Sequence, residues 1–431
     1  MDQRTSERDV GATTEFERDV LKLLLETLRS VAKQEREDVG TEAVLSALVA
    51  GDSDAGSAIA PGMRASGSLT ASIGCRGTSV WVSADAGDGV TGTPDDEREI
   101  DAFWREVRQE EAKRLRWKNR KHEKEKGKER EREKQGRGTE SAQGAEPGPG
   151  PEGVELPPMT GALRSCLRKA LEAAREEGTI SVRVRHVARA LFEVPRTRAR
   201  EAMVVEKLDV AAATAGLDAL RGSDEAPEPT AVLALRKAGT FGKSGNPLTR
   251  KFTSWIFGGG ARFGSPVVGV VRSETRRGAV RRGAAAMEPV DVMRGILALD
   301  RSLAVAGRAL PEGLTSVNQG AVLLRRHGAR LDTLSRVLLP STGVAEEEPP
   351  EVAATCDFDR RLLHVTELTA SAQGAPSVGT THLLAALLDE TGTDVESAAE
   401  VARVLAESGV DVPALRAEPE LRLPGGATRA A

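Results

Sequence analysis

The run Val378-Gly379-Thr380-Thr381-His382-Leu383-Leu384-Ala385-Ala386-Leu387 follows a helical stretch that carries Leu363 and breaks at Gly374. The same order of residues recurs upstream at fixed register. Moved back 196 positions without a gap, Leu167, Ala174, Gly178, Val182, His186, Ala190 and Leu191 fall on Leu363, Ala370, Gly374, Val378, His382, Ala386 and Leu387. Moved back 339, Leu24, Val39, Gly40, Thr41, Leu45, Ala47 and Leu48 fall on Leu363, Val378, Gly379, Thr380, Leu384, Ala386 and Leu387. A fainter copy lies 91 positions back, where Thr275, Ala279, Gly283 and Ile296 meet Thr366, Ala370, Gly374 and Leu387. Self-similarity at a fixed interval marks one supersecondary unit used repeatedly. The chain is therefore expected to hold four copies of a helical unit.

The 431 residues are 39% hydrophobic but only 3% aromatic, with no Tyr. A core of Leu, Val and Ala suits packed helices better than a sheet sandwich, so an all-α fold is expected. The net charge of -4 gives no whole-chain steering toward nucleic acid or membrane. Cys75, Cys166 and Cys356 stand far apart with no CxxC pair, which fits a reducing compartment and argues against a disulfide frame or a thiolate zinc site. They read as buried bystanders. No apolar run reaches the ~18 residues of a membrane span, and Met1 to Asp9 lacks the apolar core of a secretory signal. Cytoplasm is the expected compartment, with the plastid stroma as the alternative.

Copy one covers about 16–72. Phe16, Val20, Leu23, Leu24, Leu28 and Val31 recur at three- and four-residue steps and put one apolar stripe on a helix. Thr41 caps a second helix carrying Val44, Leu45, Ala47 and Leu48. Gly51 to Ser72 reads as less clearly helical, and Thr78 to Ser83 as a short strand. Trp104 to Arg137 is a charge run in which Glu125, Glu129 and Glu133 interleave with Lys126, Arg130 and Lys134 at helical spacing. With almost no apolar face after Trp117, it reads as an isolated charged helix that cannot dock in a core. Gly144 to Pro158 is Pro/Gly/Glu-rich and reads as a disordered linker.

Copy two covers about 159–220, with Thr160 as the N-cap of its first helix and Gly178 as its end. Copies three and four cover about 265–339 and 357–415. One copy buries too little to stand alone, so copies are expected to pair. Copy one pairs with two and three with four in this reading, giving two pseudo-symmetric helical domains over 14–222 and 229–423. The charged insert and linker, about 93–158, loop out of the first; pairing of two with three is the alternative.

Val39-Gly40-Thr41-Glu42-Ala43-Val44-Leu45, Val182-Arg183-Val184-Arg185-His186-Val187-Ala188 and Val378-Gly379-Thr380-Thr381-His382-Leu383-Leu384, each between two helices, resemble the Clp repeat. That repeat forms the N-terminal domain of Clp-type AAA+ unfoldases. Ser408-Gly409-Val410-Asp411 is similar to the Gly-Val-Asp that opens its last helix, with Leu208-Asp209 as an echo in copy two. The resemblance covers roughly 60% of the chain and implies an all-α domain of two four-helix repeats that recognises unfolded substrates, peptide tags or adaptors for an attached ATPase. In some bacterial members it implies capture of phosphorylated arginine by a Thr at the start of the first helix and a Glu just before the repeat His. The Glu position here is Glu42, Arg185, Val290 and Thr381; the Thr position is Glu17, Thr160, Ser265 and Cys356. No copy holds both. Arg185 would repel a guanidinium and Glu17 a phosphate, so phosphoarginine capture is not expected. Glu42 and Thr160 remain the ligand-binding candidates that the resemblance implies. The plainer roles are helix capping for Thr160 and Ser265, and a solvated first-turn acid for Glu42.

Catalytic motifs are missing from the sequence. Gly239-Thr240-Phe241-Gly242-Lys243-Ser244 approaches a phosphate loop, but the first glycine would have to stand at 237, which is Lys237. His186 and His382 share one repeat position, where copies one and three carry Ala43 and Asp291, so they read as structural rather than as a metal or acid–base pair. No catalytic residue, metal site or cofactor is expected. Leu248 to Arg262 combines Leu248, Phe252 and Ile256 at four-residue steps with Arg250, Lys251, Trp255 and Phe257, and Arg236 to Arg282 is opposed only by Glu274. These residues and the 104–137 run give footing to a second reading, a binder of nucleic acid or a membrane surface.

The expected function is thus non-enzymatic: a protein- or peptide-binding module in protein quality control, acting as adaptor or decoy for a Clp ATPase. Expected partners are unfolded or peptide substrates and a Clp AAA+ ATPase or adaptor. Nucleic acid and membrane are not expected, and a degenerate Clp-like fragment is the third reading.

Overall fold

The computed structural model of the chain describes residues 15–76, 80–89, 92–136, 156–179, 181–222, 228–241, 265–339, 357–389 and 395–422. Every regular element among them is helical. Copy one supplies α1 (Arg18–Lys33), α2 (Thr41–Ala50), α3 (Asp54–Ile59) and α4 (Met63–Cys75); α5 (Pro94–Gly136) follows. Copy two supplies α6 (Gly161–Glu176), α7 (Val184–Glu193), α8 (Arg198–Val205) and α9 (Val210–Ala219), and α10 (Thr230–Lys237) leads into the second half. There stand α11 (Pro266–Arg282), α12 (Pro289–Val305), α13 (Glu312–Thr315), α14 (Gly320–Arg326), α15 (Leu331–Leu338), α16 (Asp357–Ala372), α17 (Thr380–Leu388), α18 (Val395–Glu407) and α19 (Val412–Arg416). Gly51 to Ser72 is therefore more helical than its composition indicates, since α3 and most of α4 lie within it. No strand forms over Val80 to Ser83, and Thr78 and Ser79 lie outside the described residues.

Four helix pairs keep one spacing. First helices open at 18, 161, 266 and 357, and second helices at 41, 184, 289 and 380, so each pair is separated by 23 positions. The residue that ends the first helix is left-handed in every copy. Gly178, Gly283 and Gly374 have φ of 67°, 76° and 63°, and the matching residue of copy one is Glu35 at 53°. Glycine adopts this conformation freely, whereas an L side chain costs roughly 1–2 kcal/mol there.

Two isolated parallel bridges join copies one and two, Phe16 to Val182 and Val39 to Met159. A shift of 143 positions converts one into the other. Val182 N–H donates to Glu15 O (3.0 Å) as Val39 N–H donates to Pro158 O (2.8 Å), and Glu17 N–H donates to Val182 O (3.0 Å) as Thr160 N–H donates to Val39 O (3.1 Å). Phe16 thus lies before α1, in the bridge, rather than on the helical stripe. The apolar interior falls into two large clusters. One runs from Phe16 to Leu217 and includes residues of α5; the other runs from Ala231 to Leu421.

The first part of α5 overturns the reading of an undockable charged helix. Ile100, Phe103, Trp104 and Val107 are buried on one face, and Phe103 stacks on Phe16 with centroids 4.4 Å apart. The acids on another face are buried against the second half of the chain. Arg281 of α11 donates to Glu99 Oε2 (2.6 Å) and Glu106 Oε2 (3.1 Å), and Arg277 to Glu106 Oε1 (2.7 Å). Arg294 and Arg301 of α12 donate to Glu15 Oε1 and Oε2 at 2.9 and 3.2 Å. Burial would raise the Glu15 carboxyl, but Arg301, Arg277 and Arg294 hold it well below the usual range. Burial likewise opposes ionisation of Glu106, and Arg277 and Arg281 overcome it; at Glu99 burial outweighs Arg281 and the carboxyl is raised.

Arg281→Met should therefore destabilise the protein by about 3–5 kcal/mol, because it leaves two buried carboxylates without their shared cation. Arg403→Met, on the surface, should leave the urea midpoint unchanged; equal midpoints for the two variants would refute the central role of Arg281. Glu35→Gly should raise stability by about 0.5–1 kcal/mol by removing a side chain from a left-handed position, and a lower midpoint would show that Glu35 has another role.

Candidate functional site

The Val39–Met159 bridge lays the start of α2 against the start of α6. Glu42 and Thr160, which no single copy holds together, thereby come to one seam from different copies. Beside them sits Asp85, from the segment that precedes α5, left-handed at φ 54° and only 1% exposed. Its carboxylate accepts from Thr41 N–H (2.9 Å), Thr41 Oγ1 (2.7 Å), Thr160 Oγ1 (2.7 Å) and Arg198 N–H (3.0 Å). It gathers the N-termini of α2 and α8 and the N-cap of α6, where backbone N–H groups and helix dipoles favour a negative charge. Thr160 also caps α6 as expected, accepting from Leu163 N–H at 3.2 Å, whereas Ser265 forms no side-chain cap on α11.

The rest of the segment is tied down as a strap. Asp85 O accepts from Ala162 N–H (2.9 Å), Ser83 Oγ donates to Arg196 O (2.6 Å), and Val82 and Ser83 N–H both donate to Glu201. A Cβ on Gly161 would stand 2.1 Å from Ala86 O, so glycine alone lets α6 begin beneath the strap.

Glu42 is fully buried, not the solvated acid its first-turn position indicates. Its Oε1 lies 3.4 Å from Arg36 Nη1 and 3.7 Å from Arg198 Nη1, and its buried Oε2 has no hydrogen-bond partner. Burial pushes the carboxyl up to about 7; Arg198 and Arg36 oppose the shift and Asp85 adds to it. Arg36 continues to Ile73 O (3.1 Å) and Arg76 O (3.2 Å), which fixes the end of α4. Arg36 also walls a cavity of about 250 Å³ between α1, α2 and α4, lined by apolar Val31, Ala43, Ala47 and Ile73 with Glu26 and Gln34 among its polar groups. The volume is below that of a typical small-molecule site, roughly 300–1,000 Å³, and takes one or two side chains of a peptide. Glu42 is not among the cavity's lining residues, so its proton is not presented to a ligand there.

The other positions that the resemblance singled out have separate uses. Arg185 is held by Glu177, and Glu17 receives Arg301 at 3.3 Å. Thr381 Oγ1 accepts from Gln319 N–H (2.9 Å) and Thr380 Oγ1 from Gly320 N–H (3.1 Å). The repeat histidines are structural. His186 Nδ1 accepts from Arg183 N–H (2.9 Å) and His382 Nδ1 from Gly379 N–H (3.1 Å), and in copy three Asp291 accepts from Glu288 N–H at 2.9 Å in the same place. Cys166 is buried, and burial raises its thiol well above the usual value; Cys75 is exposed, contrary to its reading as a buried bystander. Cys356, Gly242 to Ser244 and Leu248 to Arg262 lie outside the described residues. Among the described residues no group of His, Cys, Asp or Glu is arranged to hold a metal ion, and no helix is long and apolar enough to cross a membrane. No family model, curated protein or solved structure matches this chain.

Sequence reasoning missed Asp85 and Arg198. The signal for Asp85 was its setting, Ser83-Ala84-Asp85-Ala86-Gly87, in which small residues flank an acid able to turn the chain.

With its carboxyl at about 7 in the folded chain against an ordinary 4.5, Glu42 binds more protons folded than unfolded across that interval. Stability from this group falls as pH rises through it. Glu42→Gln should therefore stabilise the protein at pH 8, on the order of 3 kcal/mol, and much less at about pH 4.5. Urea midpoints at both pH values decide it; an equal shift at both would reject this account of the Glu42 environment.

Proposed function

We propose that the four helix pairs are copies of a Clp-like repeat, paired into two pseudo-symmetric domains, and that the chain is a non-catalytic docking module for peptides or unfolded protein. The common helix starts, the shared left-handed residue and the interchanging bridges support the repeat. The observation that carries the function is the groove between α1, α2 and α4. Its floor is formed by the buried Val31, Ala43 and Ile73 with the half-buried Ala47 beside them, and Glu26 and Gln34 give it a polar edge. Arg36 and the buried Glu42 hold its wall, and the Asp85 strap fixes the helix ends behind it. In this reading the module serves a Clp-type ATPase in trans as adaptor or decoy. The exposed free Cys75 fits a reducing cytoplasm.

The test is fluorescence anisotropy with a fluorescein-labelled, permanently unfolded polypeptide, together with pull-down against a Clp-type ATPase. The chain should bind the polypeptide, and Ala47→Trp, which fills the groove, should weaken binding at least about tenfold, or about 1.4 kcal/mol, without moving the thermal midpoint. Failure to bind either the polypeptide or the ATPase would overturn the proposal. Full binding by Ala47→Trp would move docking away from this groove.

A further inference from the structure

The outer part of α5 is a second interaction surface, independent of the groove. From Lys113 to Lys126 it carries eight Lys or Arg against two Glu, and Lys113 to His122 contains no acid at all. Ion pairs within α5 join Lys113 to Glu110, Arg114 to Glu111 and Lys121 to Glu125, and they offset only part of this charge, since cations outnumber acids eight to two from Lys113 to Lys126. Trp117 stands at its centre, 59% exposed. Every helical neighbour of Trp117 at three or four positions is a cation: Lys113, Arg114, Arg120 and Lys121, with Lys124 one turn further on the same side. Lys113, Arg120, Lys121 and Lys124 are exposed, and Lys121 Nζ lies 5.8 Å from the Trp117 ring centroid. An indole held open to solvent within a ring of cations has no use in the core that α5 builds further back.

We infer that this arm binds single-stranded nucleic acid, its cations tracking the phosphates while Trp117 stacks on an unpaired base. Backbone charge and base stacking are the two interactions such strands offer without regard to sequence. A membrane surface fits less well. An interfacial helix needs an apolar face, and from Arg116 to Gly136 the only large apolar side chain is Trp117. The whole-chain charge of -4 conceals this local excess.

The experiment uses the full chain and fluorescently labelled single-stranded oligonucleotides of about 20 nucleotides, a length that covers one or two such contact sites. Binding should weaken on the order of fiftyfold between about 50 and 200 mM salt, as expected for release of counterions from several phosphates. Trp117→Ala should cost at least about fivefold in affinity through lost stacking, and Arg120→Glu with Lys121→Glu and Lys124→Glu should abolish binding. These residues are exposed, so circular dichroism of the variants should match the parent. No oligonucleotide binding, or binding that ignores salt, overturns the inference. So does binding only to vesicles of anionic phospholipid, or a preference for duplex that Trp117→Ala leaves unchanged.

Discussion

Arg281 places its guanidinium between Glu99 and Glu106 of α5 in a space closed to water, with all three side chains no more than 9% exposed. The two acids lie two helical turns apart on one face of α5, and Arg277 and Arg281 lie one turn apart on α11, so the helices meet along a stripe of matched charge. Removing such ions from water costs several kcal/mol per ion; Arg277 and Arg281 together overcome that cost at Glu106, while at Glu99 burial still outweighs Arg281. Apolar contact tolerates sliding by a turn; this stripe does not. Since Phe103, Trp104 and Val107 on the same helix belong to the first apolar cluster, the stripe also sets how the two clusters are joined.

The all-α class and the helix boundaries were legible because helix starts and stops are written in local chemistry. Gly178, Gly283 and Gly374 end their helices at the register read from the sequence, and even the faint third copy opens α11 and α12 in step with the others. Copy one was harder, since Glu35 performs the same turn without being glycine. Half of α5 was misread for a physical reason. Charge on a helix indicates solvent only if no partner of opposite sign is buried against it, and Glu99 and Glu106 have theirs 182 and 175 residues away.

The candidate site was legible as a pair of residues but not as a place. Glu42 and Thr160 were each identified by position in a repeat, and within one copy they never coincide. The Val39–Met159 bridge supplies the coincidence, and Asp85 joins Thr41 to Thr160 there. A position in a repeat therefore fixes a geometry more firmly than a chemistry. The third residue of the second helix receives the N-cap N–H through His186, Asp291 or His382 alike, since any well-placed acceptor serves. The residue just before it is a buried acid at Glu42 and a salt-bridged base at Arg185.

The same distinction separates charge in a sequence from charge on a surface. The stretch Arg236 to Arg282 reads as strongly basic, yet Arg277 and Arg281 face Glu106 and Glu99, Arg282 is held by Asp291, and Arg236 is paired with Glu228. Those cations answer acids that the linear stretch does not contain, and they offer little field to a partner. In α5 the order is reversed: Glu99 and Glu106 are taken up by these arginines, and beyond Glu111 cations outnumber acids as far as Lys126. Arg277, Arg281 and Arg282 of α11 thus answer buried acids, whereas the exposed Trp117 stands among exposed cations in the outer part of α5.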